Sequence, residues 1–438
     1  MPRLSTAGYI FSILLPGFFF SCATVRYGQD IADYQEDIKQ HEASLAENPE
    51  NATALRELGV IYFETSEYEQ ALDYLKRSNA IEADDPKTLL YLGMAHEMRI
   101  ELEDARNIYA RYTDIAALSP YRRLLHGRYY RLTRRLIREE IRSLLARETE
   151  ISAEPPSPQT LAVFPFKAAA ENRRTRNPYV TLGLGLSEML TTDLGHVKQL
   201  RLLERVRLET LLDELAAAKQ EDFSQESAPR IGKLLGAGRI VSGGFQVTNE
   251  KDLHIDLLSW DVINLDFTEA VTQEDELSNL FRMEKALVFG IIDKMGIEIT
   301  EEERNSIQRI PTANIQAFMA YCRGLEKEDA SDFRGAASFY RQAAGLDADF
   351  QEAKDRIEQS ESADAAKNSP EDLAASLSKY NAGSPEAALV STRLEKLNDN
   401  LGAYFFPGQD SRKPAEEAEG LGLLNPELSE PPPPPPAQ

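Results

Sequence analysis

Apolar positions keep helical spacing through the first third of the chain, break into alternating strand and helix periods in the middle, and return to helical spacing afterwards. The middle opens with TLAVFPF (Thr160–Phe166), a short apolar run rich in β-formers and bounded by Pro158, which predicts a buried strand. A polar loop and a helical pattern over Tyr179–Val197 follow. Then come QLRLLERVRLETLLDELAAAK, a short strand running into a helix, and APRIGKLLGAGRIVSGGFQV, a helix, a glycine turn and a strand. LHIDLLSWDV predicts one more strand. This alternation predicts a compact α/β unit over 160–300, with helices packed on a sheet.

The helical part before it repeats. Leu58-Gly59 recurs as Leu92-Gly93, Ala71 as Ala105, Leu75 as Tyr109 and Pro86 as Pro120, always 34 residues apart, the tetratricopeptide period. Small residues at these positions let the two helices of a repeat approach closely. Tyr62, Tyr68 and Tyr74 are expected between helices. A third unit starts at Tyr121, but it lengthens into one helix, expected to cap the stack because a solenoid end must close with a different face. The repeats and this basic helix fill 41–149, and a stiff Pro-rich linker, 150–159, leads to the α/β unit. A further tetratricopeptide-like helix pair is expected over 313–360, carried by Gly324, Ala336, Tyr340 and Ala343, with Cys322 as a small core residue. Residues 361–405 are weakly helical, and the Pro-rich end, 406–438, is expected to be disordered.

Four motifs of the middle unit, AVFPF, GLSEMLTTDL, LLERVRLETLLDEL and IGKLLGAGRIVSGGF, stand in the order found in the curli-secretion lipoprotein family (CsgG-like), which they resemble over roughly 160–300. The positions carrying the resemblance are Pro165, Phe166, Glu204, Arg205, Gly236, Ala237 and Gly243. It implies an α/β CsgG-like (TolB-N-like) domain, here flanked by all-α repeats, in a protein that self-associates. Fold is better specified by this than function.

The amino terminus fits that reading. Arg3 precedes an apolar stretch, Tyr9 to Phe20, too short to span a membrane comfortably, which reads as a signal peptide over 1–21. Phe19-Phe20-Ser21-Cys22 resembles a lipobox, with Phe where Leu and a small residue are usual. An acylated Cys22, followed by a tether over 22–40, would hold the protein on outer-membrane lipid and facing the periplasm.

Composition narrows the chemistry. A length of 438 residues suggests two to four modules, and 42% hydrophobic residues suffice for cores. A formal charge of −23 disfavours nucleic acid, which needs a basic face. Against it stand nine arginines between Arg122 and Arg147, which read as a solvated helix face pairing with acids of the repeats, or as a docking strip for anionic headgroups or an acidic partner. Two cysteines and five scattered histidines predict no disulfide framework and no metal site. Gly183-Leu184-Gly185 and Gly236-Ala237-Gly238 lack the strand-to-helix setting of a phosphate loop. Gly185-Leu186-Ser187-Glu188-Met189 lacks the second glycine of a nucleophile elbow. Glu204-Arg205 reads as a strand-end ion pair or helix cap, or as a subunit contact in a ring. Asp213, Glu214 and Asp256 read as ordinary exposed positions. No cofactor and no catalysis are expected. The expectation is a lipid-anchored scaffold, binding envelope proteins through its repeats and assembling as a homo-oligomer for export or surface structures. The alternatives are a secretion-pore subunit, with room for at most one spanning hairpin between Phe245 and Thr272, or a lipoprotein regulator of a cell-wall enzyme.

Overall fold

The computed structural model describes residues 30–148, 156–169, 178–217, 227–267 and 270–381. The signal segment, Cys22 and the Pro-rich tail lie outside the described residues.

Five helices begin the chain: α1 (Gln35–Glu47), α2 (Ala52–Glu64), α3 (Tyr68–Ile81), α4 (Pro86–Met98) and α5 (Leu102–Ala110). The segment expected as a tether is therefore helical from Ile31, where a 3₁₀ turn leads into α1. Helix starts follow local chemistry. Asn51 accepts from the Ala54 amide at 3.1 Å, and Asp85 accepts from the Thr88 amide at 2.7 Å just before Pro86. The turns inside the two pairs repeat as well, with Ser66 at φ 66° and Ile100 at φ 63°. At each seam the glycine is filled by its partner helix: a Cβ on Gly59 would overlap Leu75, and one on Gly93 would overlap the Tyr109 ring. Leu58, Ala71, Leu92 and Ala105 line the same seams and are buried.

Helix α6 (Pro120–Ala146) has 27 residues, about 40 Å of rise, and does not cap the stack. Its first half, through Leu125 and Leu132, belongs to the core of the amino-terminal repeats. Its second half, through Ile137 and Ile141, lies in the core of the α/β unit. It acts as a strut because its apolar stripe runs the full length while its neighbours change.

The α/β unit holds a seven-stranded mixed sheet. β1 (Ser157–Val163) lies parallel to β3 (Arg201–Leu202) and β4 (Ala237–Thr248), and the two-residue β2 (Lys167–Ala168) also pairs with β4. β5 (Asp252–Asp261) runs antiparallel to β4, to β6 (Asp266–Phe267) and to β7 (Val271–Glu276). β1 thus starts inside the expected linker, and Pro158 is accommodated where its register shifts between Ser157 and Leu161. One face of β1, Leu161 and Val163, joins a core with α7 (Leu182–Leu194) and α10 (Leu280–Lys294). The other, Ala162 with Phe164 just past the strand's end, joins α8 (Arg205–Ala217), α9 (Ala228–Leu235) and the end of α6. Both faces are covered, which is why the strand reads as an unbroken apolar run. β4 and β5 meet in a tight turn at Asn249 and Glu250, and Leu253, Ile255 and Leu257 of β5 are buried in the domain core. The stretch considered for a spanning hairpin is thus part of the domain's own sheet.

After a short helix α11 (Glu301–Ile307) come α12 (Ile315–Asp329), α13 (Phe333–Leu346), α14 (Gln351–Ala365) and α15 (Pro370–Asn381). The expected pair over 313–360 therefore runs on into a third helix, and the weakly helical region contains a fourth. Phe318, Cys322, Tyr340 and Ile357 are in the core that includes the sheet, so the last repeat is built into the α/β unit.

Candidate functional site

The first helices of the repeats, α2 and α4, together with α6, present one face of the amino-terminal stack. Helix α15 lies on it, against α4 and α2. Its Leu373 and Ala374 are buried in the repeat core and Leu377 packs beside them. Beyond the apolar stripe, Glu64 gathers the polar contacts. It accepts from the Tyr34 hydroxyl at 2.5 Å and from Tyr91 at 3.5 Å, and Ser378 of α15 also bonds to it. Burial holds the Glu64 carboxyl above its usual range, despite those donors. The turn before α15 is fixed by Arg128, whose Nη1 donates to the Asn368 carbonyl at 2.9 Å. An amphipathic helix laid on a helical face is a recurrent mode of peptide recognition, and here the chain supplies the helix itself.

Behind this face, a buried charge network ties the repeats to the α/β unit. Arg205, the first residue of α8, lies 3.1 Å from Glu188 of α7, 3.4 Å from Glu328 of α12, and also pairs with Asp329. Arg356 of α14 is 2.8 Å from Glu328 and pairs with Glu188 as well. Tyr130 of α6 and Tyr340 of α13 each donate to Glu328 at 2.7 Å. Against the burial that would raise it, Arg356 and Arg205 with the two hydroxyls hold the Glu328 carboxyl down at about 2. Its neighbour Glu209 goes the other way: burial first, then the Asp329 charge, push it up to about 7. The sequence predicts a strand-end ion pair or helix cap, or a subunit contact, for Glu204-Arg205. Glu204 is instead exposed, and Arg205 points into this network. No sequence motif marks Glu328, Arg356 or Tyr130. The signal for Glu188 was present, a lone acid within the apolar helical run LGLGLSEML.

The other motif residues act in packing. Pro165 is half-buried, and the Phe166 amide donates to the Gly183 carbonyl at 3.2 Å while its ring covers Gly243. Gly236 ends α9 at φ +67°, a left-handed turn that admits glycine readily, and buried Ala237 starts β4. Gly185 faces Cys322 and Phe318, so α7 and α12 touch closely there. Burial raises the Cys322 thiol. Ser187 spends its hydroxyl on the Leu184 carbonyl at 2.9 Å. His96, Glu101 and Asp104 are near enough to share a cation, but Glu101 already bonds His96 at 2.7 Å and Arg99 at 2.9 Å.

Residues 145–249 match the family model described as curli production assembly/transport component CsgG. No curated protein matches the chain. Among solved structures, a tetratricopeptide repeat protein from Parabacteroides merdae ATCC 43184 aligns at 12% identity over 75% of this chain and 95% of that one, with a TM-score of 0.21. A score that low establishes no common fold, and the repeats are assigned on their helix pairs and 34-residue period. The chain carries a CsgG-family domain combined with tetratricopeptide-like helical repeats.

Proposed function

We propose that the protein is an interaction scaffold of the bacterial envelope, anchored by an acyl group on Cys22 to the outer membrane, that binds envelope proteins through its amino-terminal repeat face and assembles as a homo-oligomer for export or surface structures. The observation that carries this reading is α15 lying on the face of α2 and α4, which gives that face the shape and polarity to hold a helix. The match of 145–249 to a curli assembly and transport family supports the export side. The chain then contributes geometry and no chemistry of its own: the repeats gather partners, the α/β domain meets its copies, and the charge network keeps the two in fixed relation.

Sedimentation of the detergent-solubilised full chain tests the assembly. A defined oligomer is expected, and a strict monomer over a wide concentration range contradicts it. Cys22→Ser tests the anchor: the precursor is expected to stay unprocessed and the protein to leave the membrane fraction. Unchanged processing and attachment contradict it.

A further inference from the structure

The arginines of α6 divide into two groups. Those toward its ends have partners. Arg122 donates to the carbonyls of Tyr112 and Ile115 at 3.0 and 2.7 Å, and Arg142 pairs with Glu214 at 2.9 Å. The middle ones line a cleft of about 400 Å³ between α6, the α12–α13 turn and the α14–α15 turn. Arg128, Arg131, Arg134, Arg135, Arg138 and Lys367 face it, with Glu97 the single carboxylate among its lining residues; from outside the lining, Glu139 pairs with Arg135 at 3.0 Å, Glu214 lies 3.9 Å from Arg138 and Asp364 lies 3.4 Å from Lys367. Glu97 is already bound by the Tyr109 hydroxyl at 3.0 Å.

Two of these guanidiniums, Arg131 and Arg134, stand without a carboxylate in reach among the described residues, and Arg128 has one only at 3.7 Å. Arg128 is only 6% exposed, and its Nε and Nη2 have no hydrogen-bond partner among the described residues. Glu97 is 3.7 Å from that Nη2. Arg131 reaches only the Ala363 carbonyl, at 3.4 Å, and sits 5.4 Å over the Phe333 ring. Arg134 lies 5.8 Å from the Tyr130 ring and 6.0 Å from Phe333, with the Tyr130 hydroxyl at 3.4 Å. Neither forms an ion pair within 4.0 Å among the described residues. Lying over ring faces, these two guanidiniums are held by cation–π attraction that leaves N–H groups available for a ligand. Burial, and then the charge of Arg128, lower the Arg131 guanidinium against the opposing charges of Asp364 and Glu97. The amino terminus of α15, with Ser369 and Pro370 at the cleft, adds its positive dipole end.

We propose that this cleft binds a small phosphate-bearing polyanion, of about pyrophosphate size, held by Arg128, Arg131 and Arg134 with Lys367 at the rim. Fixed guanidinium forks match phosphate oxygens in pairs, and three of them call for more than one negative charge. The site is recessed, with its key arginine buried, so it suits a compact ligand entering a cleft better than a flat membrane surface. Its volume lies within the range of small-molecule sites.

The test is isothermal titration of detergent-solubilised full-length protein with sodium pyrophosphate at low ionic strength. One-to-one binding that weakens with added salt is expected. Arg131→Gln with Arg134→Gln should weaken it by about tenfold or more, Lys367→Gln by a smaller factor, and Arg142→Gln, outside the cleft, should leave it unchanged. Far-ultraviolet circular dichroism and melting of each variant confirm folding, and the exposed Lys367 variant keeps the test valid if the double variant unfolds. No pyrophosphate binding, or binding insensitive to Lys367 and to Arg131 with Arg134, overturns the proposal. So does association with phosphatidylglycerol vesicles that depends on these arginines while free pyrophosphate fails to bind, since that makes the strip a headgroup surface. Tighter binding of hexaglutamate than of pyrophosphate overturns the phosphate assignment in favour of an acidic peptide.

Discussion

The amino-terminal repeats and the carboxy-terminal one use the same seam and face different things. In α4–α5, Gly93 is covered by the Tyr109 ring, and the Tyr109 hydroxyl donates to Glu97 at 3.0 Å. In α12–α13, Gly324 is covered by the Tyr340 ring, and the Tyr340 hydroxyl donates to Glu328 at 2.7 Å. The inner turns match too, Ile100 at φ 63° and Ser331 at φ 59°. Yet Glu97 looks out on the arginine cleft, while Glu328 is the buried centre of a network reaching α6, α7, α8 and α14. The first helix of one repeat carries α15 on its outer face. The first helix of the other is fused to the α/β core through Phe318 and Cys322. The seam makes a helix pair, and what surrounds the pair decides whether it carries a helix on its outer face or braces a domain.

The largest effect should come from cutting the brace. Arg205→Met leaves buried Glu328 and half-buried Glu188 with Arg356 as their one ion-pair partner and takes that of Asp329 away, and should cost about 3–5 kcal/mol in denaturant unfolding. A cost under about 1 kcal/mol would mean that the network does not hold the domains together.

The seam itself comes next. Gly93→Ala and Gly324→Ala each overpack a ring whose hydroxyl is tied down, and should cost roughly 1–3 kcal/mol. Ala71→Leu and Ala105→Leu fall in the same range. Gly59→Ala meets the aliphatic Leu75 and, at 3.3 Å, the Ala71 carbonyl in place of a tethered ring, and should cost less. Hydrogen exchange separates the two regions: Gly93→Ala should loosen α4 and α5 while sparing the sheet, whereas Gly324→Ala should loosen α7 and β4 as well. Equal patterns would erase the distinction.

A smaller effect has a defined pH window. Glu209 is raised to about 7 from an ordinary 4.5, so the folded chain keeps a proton that the unfolded chain gives up between those values. Stability from this group therefore falls as pH rises from about 4.5 to 7, and Glu209→Gln should remove that slope, gaining on the order of 1–2 kcal/mol at pH 8 relative to pH 5. Glu328 works in the opposite sense and in another window: its contribution is lost as pH falls from 4.5 toward 2. Melting curves of wild type and Glu209→Gln across pH 4 to 8 check the sign.

Local features were readable from sequence because local chemistry decides them. The period set by Gly59, Gly93, Ala71 and Ala105 gave the helix pairs, the run around Val163 gave the central strand, and Gly236 gave the turn from α9 to β4. What escaped depends on long-range placement. Glu188 and Arg356 are 168 residues apart, so nothing in either neighbourhood reveals their pairing. The long helix looked like a cap because its apolar stripe cannot say that two different cores share it. Arg128, Arg131, Arg134 and Arg138 were visible as one helical face, but the Phe333, Tyr130 and Lys367 that make it a cleft come from elsewhere. Helix α15 was obscured by a polar composition, with Leu373, Ala374 and Leu377 the apolar residues that reach the repeat core.

A synthetic peptide of residues 370–381 should bind a chain ending at residue 369, measured by fluorescence anisotropy, and the Leu373→Asp version of the peptide should not. The full-length chain, with its own α15 in place, should bind the peptide many times more weakly. Equal binding to both chains, or none to the shortened one while it remains folded, would contradict the claim that the face of α2 and α4 is a helix-binding surface.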